Sequence, residues 1–119
     1  MGRLNVEREA EVTIVTITDT SGFDNPNSDA FRTSILSVVS PDQAERLALD
    51  LSKLDTVSSS GIVALLSLKR VIEANQGRLV LFGLEPSVRQ VFKVLGLADF
   101  FTIVVDRAAA IERLRPEVV

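Results

Sequence analysis

Residues 46–83, RLALDLSKLDTVSSSGIVALLSLKRVIEANQGRLVLFG, decide how this chain folds. Arg46 to Leu51 reads as a short strand, and Leu79 to Phe82 is an almost uninterrupted apolar run after Gly77. A run of that kind suits a central parallel strand, buried on both faces, better than an edge strand. Between the two, a polar stretch from Ser52 to Ser60 leads into a helix that opens near Gly61, runs to about Ala74 and is ended by Asn75-Gln76-Gly77. Strand, helix and strand in this order call for a right-handed crossover between parallel neighbours.

The flanking sequence extends the pattern in both directions. Leu4 to Val6 and Val12 to Ile17 alternate in polarity around Glu9-Ala10-Glu11 and predict an antiparallel hairpin with a tight connection. Asp19 to Asn27 is rich in turn formers, and Asn25 or Asn27 is placed to cap a helix whose apolar positions are Phe31, Ile35, Val38 and Val39, stopped by Ser40-Pro41. Beyond Gly83, Pro86 suits the first turn of another helix, with Val88, Val91, Phe92 and Leu95 as its inward stripe and Gly96 as a left-handed cap over which Leu97 folds back. A last strand, Phe101 to Val105, leads to a helix from about Arg107 to Leu114 with Ala108, Ile111 and Leu114 on one side, and Pro116 ends the ordered chain. Phe100 and Phe101 read as core or as a strand start. The expected architecture is α/β: a mixed, mainly parallel sheet of about five strands with four helices packed on it. A length of 119 residues implies a single domain over 1–119, with an ordered core of about 4–114.

Composition narrows the chemistry. Thirteen Lys+Arg against 16 Asp+Glu leave a net charge of −3, so there is no cationic surplus to neutralise a run of nucleic-acid phosphates. With no cysteine and no histidine, disulfides, Cys or His metal sites, Cys nucleophiles and imidazole catalysis are closed off. The densest apolar run, Ile62 to Leu66, falls far short of the roughly 20 residues needed to span a bilayer, and the expectation is a soluble, cytoplasmic product with no membrane insertion. A serine nucleophile would have only Lys53 or Lys69 as a base, at no recognised spacing, and no Gly-rich phosphate loop with its lysine is present. The residues give no reason to expect an enzyme, a metal or a cofactor.

Two features carry more information. Ser58, Ser59 and Ser60 stand where a strand-to-helix loop becomes a helix, a position with partial positive charge and unpaired amide donors that serves capping and also accommodates a phosphate. Ile62 to Leu66 makes the first turns of that helix apolar nearly all round, whereas a surface helix needs one stripe. Ala64, Leu65, Leu68, Val71 and Ile72 suit the core. Ile62, Val63 and Leu66, with Lys69 and Arg70 beyond, read either as a docking patch beside the serines or as surface covered by a neighbouring helix.

Leu49 to Gly61, the apolar helix after it, the stretch Leu79 to Leu97 and the earlier Gly22-Phe23-Asp24 loop together resemble a STAS domain of the bacterial anti-sigma-factor antagonist type, over about Leu4 to Leu114. The resemblance implies a STAS-like fold and a binding module. When unphosphorylated it sequesters an anti-sigma factor that is also a serine kinase, and when phosphorylated it releases that partner. A serine phosphatase acts on the phospho-form. Anchored on Gly61, the phosphoacceptor falls on Ser59 and Ser60 matches the family's second serine. Ser58 stands where the family usually has Asp, so Ser58 and Ser60 remain alternative acceptors. Asp24 corresponds to the acidic residue of the family's first loop, facing the kinase, and equally suits a plain turn or cap role. The implied partner-binding set is Asp24, Ser58, Ser59, Ser60, Gly61, Ile62, Val63, Leu66, Lys69 and Arg70. An alternative within the same resemblance is a STAS subunit docking onto a membrane transporter, such as a lipid-transport ABC system, without phosphorylation.

Overall fold

The computed structural model describes residues 4–17, 45–54, 57 and 59–115. Five strands form one sheet in the order β1 (Leu4–Glu9), β2 (Val12–Ile17), β3 (Arg46–Asp50), β4 (Arg78–Phe82) and β5 (Thr102–Val104). The opening hairpin is antiparallel and the remaining pairings are parallel. Three helices are found among the described residues: α1 (Ser59–Ala74), α2 (Pro86–Val94) and α3 (Arg107–Leu114). The helix expected around Phe31 to Val39 lies outside them.

Strand alternation sorts the apolar side chains into two layers. Val15, Ile17, Leu47, Leu49, Leu79 and Leu81 face α1 and α2, meeting Leu65, Leu68 and Ile72 of the first helix and Val88 and Phe92 of the second. Val12, Ile14, Ala48, Val80 and Phe82 form the opposite face, closed by Ala110 and Leu114 of α3. The near-continuous apolar character of β4 follows from this double coverage. The α3 stripe differs from the expected one, because Ala110 is buried and Ala108 is exposed: the sheet-facing pair is spaced by four residues, not three. Arg107 ties α3 back to β1 through Glu7 Oε1 at 2.6 Å and Glu9 Oε1 at 3.2 Å. The hydrogen bond to Glu7 raises the guanidinium further above its ordinary pKa. Exposed pairs of this kind contribute about 0–1 kcal/mol, so this tie is secondary to the core.

Turns and caps show which residues bear unusual backbone. Ala10 and Glu11, at φ 54° and 63°, make the two-residue hairpin turn that normally selects Asn-Gly. Both long helices with apolar stripes end in the same pair of backbone bonds. In α2, Leu97 N–H donates to Phe92 O (2.8 Å) and Gly96 N–H to Lys93 O (3.1 Å), with Gly96 at φ 72°, as its sequence position predicts. In α1, Gly77 N–H donates to Ile72 O (2.8 Å) and Gln76 N–H to Glu73 O (3.0 Å), so the left-handed residue is Gln76 (φ 64°) and not the adjacent glycine.

Three expected core positions are corrected. Leu95 is 54% exposed, because it is the residue at which α2 hands over to the Gly96 turn and its side chain leaves the buried stripe of Val88 and Phe92. Phe100 is 53% exposed, while Phe101 is buried and meets Phe92 edge-on at 5.5 Å between centroids. Val71 is half-buried where full burial was expected. The last strand is shorter than Phe101 to Val105, and α1 begins two residues before Gly61.

At the carboxyl edge, Thr16, Asp50, Phe82 and Val104 stand in one row across the parallel strands. The Asp50 carboxylate accepts the Ser52 N–H (2.9 Å) and the Thr16 hydroxyl (3.3 Å). Gly83, at φ 74°, presses against this turn: a Cβ there would lie 3.1 Å from Asp50 Oδ1 and 3.2 Å from Ser52 Cβ. Gly83→Ala is therefore expected to destabilise the fold by about 2 kcal/mol, from strain and crowding together. Gln76→Gly should act with the opposite sign, stabilising by up to about 1 kcal/mol by relieving a left-handed non-glycine residue. Equilibrium urea denaturation of the two variants against wild type measures both.

Candidate functional site

The serine segment is held by a loop that alternates anchors with polar residues. Leu51 N–H donates to Phe82 O at 3.0 Å, extending the β3–β4 ladder by one bond, and Leu54 N–H turns back onto Leu51 O at 3.0 Å. Leu51, Leu54 and Val57 are buried in the layer beneath α1. This Leu-x-x-Leu-x-x-Val spacing was visible in the sequence but is masked by the polar residues around it. It fixes the chain that delivers Ser59, so the start of α1 is set by the core and not by capping alone.

Ser59 is the first residue of α1 and is exposed. Ser60 follows it in the helix, and Gly61 is buried. Ser58 and Asp24 lie outside the described residues. The first turn of α1 carries no acidic residue that would offset the partial positive charge of the helix start.

Ser59 also forms part of the rim of a shallow cavity of about 340 Å³ between α1 and the second half of α2, lined by Ser59, Ile62, Gln90, Val91, Val94 and Leu95. Apart from the Ser59 hydroxyl and the Gln90 amide its walls are aliphatic. Farther along the same side of α1, Leu66, Lys69, Arg70, Glu73 and Phe100 line a second hollow of about 240 Å³. Ser59, Ile62, Leu66, Lys69 and Glu73 recur at spacings of three and four, so they share one helix face. Within the second hollow the Lys69 ammonium sits 2.6 Å from Glu73 Oε2 and 4.5 Å from the centre of the Phe100 ring. Phe100 in turn packs edge-on against Phe101, at 5.6 Å between centroids.

The expected docking patch is thereby redrawn. Val63 is exposed at 52%, Leu66 is half-buried and Arg70 is exposed. Ile62 is corrected: at 5% exposure it packs into the core and contributes only an edge to the cavity wall, because it lies on the flank of α1 turned toward α2. Gln90, Val94, Leu95 and Phe100 were not picked out from the sequence as site residues. Leu95 and Phe100 carried the ordinary expectation that large apolar residues are inside, and nothing in a single sequence separates an exposed one from a buried one at the end of a helix.

BtrV of Bordetella bronchiseptica, assigned by name to the anti-sigma factor antagonists, is 40% identical over 65 residues, which span 55% of this chain and 56% of BtrV. The chain thus matches about half the length of that curated relative. Among solved structures, the Thermotoga maritima protein TM1081, also assigned by name to the anti-sigma factor antagonists, superposes with a TM-score of 0.78 at 16% identity, covering 97% of each chain. The anti-sigma factor antagonist SpoIIAA in its unphosphorylated form gives a TM-score of 0.69 at 23% identity, covering 98% of this chain and 99% of that one. These two structures share the fold. The STAS domain model matches residues 3–110, nearly the whole chain and every element described above except the last turn of α3. The five-stranded mixed sheet, the helix that starts at Ser59 and the family match converge, and the chain belongs to the STAS domain family.

Proposed function

We propose that this chain is an anti-sigma-factor antagonist whose affinity for its partner is switched by phosphorylation of Ser59. Unphosphorylated, it binds an anti-sigma factor with serine-kinase activity and so frees a sigma factor. Phosphorylated, it lets go, and a serine phosphatase resets it. The observation that carries this reading is the exposure of Ser59 at the start of α1, on the rim of an aliphatic cavity and next to a helix face with exposed apolar residues. The similarity to BtrV and to SpoIIAA supports the same assignment.

In the transfer step the Ser59 Oγ attacks the γ-phosphorus of ATP held by the kinase. The bond from that phosphorus to the bridging oxygen breaks, ADP leaves, and the hydroxyl proton passes to a base on the kinase or to water. Hydrolysis of the phosphoserine returns the hydroxyl and inorganic phosphate. The product carries about −1.5 to −2 charges and three acceptor oxygens, and at a helix start the domain gains about 0.3–1 kcal/mol from it. The same charge inside a packed interface meets desolvation and repulsion, so one reaction dissolves a complex without unfolding the module. The module acts in the cytoplasm. No helix among the described residues is long and apolar enough to cross a membrane, and the reading requires none.

Peptide mass spectrometry of the protein purified from its source cells is expected to find one added phosphate, on Ser59 and not on Ser58 or Ser60, and Ser59→Ala should abolish it. Ser59→Asp should lower affinity for the anti-sigma factor by at least about tenfold, as expected when a charge is left unpaired in an interface. A Ser59→Asp variant that binds as tightly as wild type contradicts the proposal.

A further inference from the structure

Six large apolar side chains are exposed among the described residues, and three of them, Val94, Leu95 and Phe100, line the two hollows beside α1. Singly exposed apolar residues are ordinary, but a cluster along one groove marks an interaction surface. Val94, at 71% exposure, and Leu95 form the outer wall of the cavity beside Ser59. Phe100 is held in place across the second hollow by the Phe101 edge and the Lys69 ammonium. The groove is therefore largely built before anything enters it, which lowers the ordering cost of binding.

The charges in the groove define what fits. Lys69 is neutralised by Glu73, whereas the neighbouring guanidinium of Arg70 makes no ion pair or hydrogen bond among the described residues. Arginine presents a planar fork that matches a carboxylate. Ile62, at the cavity, and Arg70 are eight residues apart on α1, about 12 Å along its axis.

We infer that this groove receives an acidic, apolar segment of the partner protein: one large apolar side chain enters the cavity between Ser59 and Leu95, and a carboxylate about 12 Å away pairs with Arg70. The inference rests on the proposed switch and gives it a structural cause. A phosphate on Ser59 stands on the rim of the cavity that the apolar anchor must enter, and it repels a segment that already carries negative charge.

The probe is the anti-sigma factor kinase that copurifies with this chain from its source cells, produced recombinantly and titrated calorimetrically against the full-length chain. Val94→Asp is expected to weaken binding by at least about 30-fold and Arg70→Glu by about tenfold. Arg89→Glu, on an exposed cation that lines neither hollow, should stay within about twofold, as rim charges away from the contact do. All three positions are exposed, so unchanged thermal midpoints should accompany these effects. Replacing partner carboxylates by lysine one at a time should identify one position that restores binding to Arg70→Glu. Wild-type affinity in both Val94→Asp and Arg70→Glu overturns the groove while the phosphoserine switch stands. Weakened binding of Arg70→Glu that no reversal restores overturns the acidic segment. Failure of the wild-type chain to bind the kinase overturns the switch and the groove together.

Discussion

A parallel strand pair that is apolar on both faces must be covered twice, and most of this structure follows from that requirement. Leu47, Leu49, Leu79 and Leu81 need helices on one side of β3 and β4, while Ala48, Val80 and Phe82 need one on the other. Right-handed crossovers meet the first need with α1 and α2, and α3 meets the second. Each helix then starts from the carboxyl edge of the sheet, where open sheets of this class collect their functional loops. Ser59 stands at that edge because the strand before it and the helix after it are both pinned by burial, with Leu51, Leu54 and Val57 fastening the loop between them.

Rigidity below and exposure above suit a regulator whose output is affinity. The Asp50 carboxylate, the Ser52 amide and Gly83 lock the turn that leaves β3. A phosphate added at Ser59 is absorbed locally by a helix start that has no acidic residue in its first turn. Under the proposed switch the mouth of an aliphatic cavity would gain a dianion, which a partner would sense directly without a conformational relay.

The sheet and its helices were legible because their signals are strong and local. The apolar run of β4, the Pro86 start and Gly96 stop of α2, and the polar alternation of the hairpin each carry their own physical cause. Ser59 could be placed at a helix start by the same kind of reasoning. The groove was less legible. Leu95 falls on the helical period of Val88 and Phe92 yet leaves the core because the helix ends there, and Phe100 differs from Phe101 only in which way a short turn points it. Ile62 was open between a docking patch and burial under a neighbouring helix because the first turns of α1 are apolar all round, and tertiary packing against α2 decided which side went in. Gln76 adopts the left-handed conformation although Gly77 follows it, because the hydrogen-bond count back to Ile72 and Glu73 sets the position.

The claim beneath the whole account is that phosphate on Ser59 alters a surface and spares the fold. Amide hydrogen exchange on the unphosphorylated and phosphorylated chains, residue by residue, tests it most directly. Unchanged protection through β2, β3 and β4, with differences confined to the start of α1 and to Gln90 through Phe100, is the predicted result. Loss of protection across the central strands on phosphorylation would show that the switch works by loosening the domain, and would contradict the account.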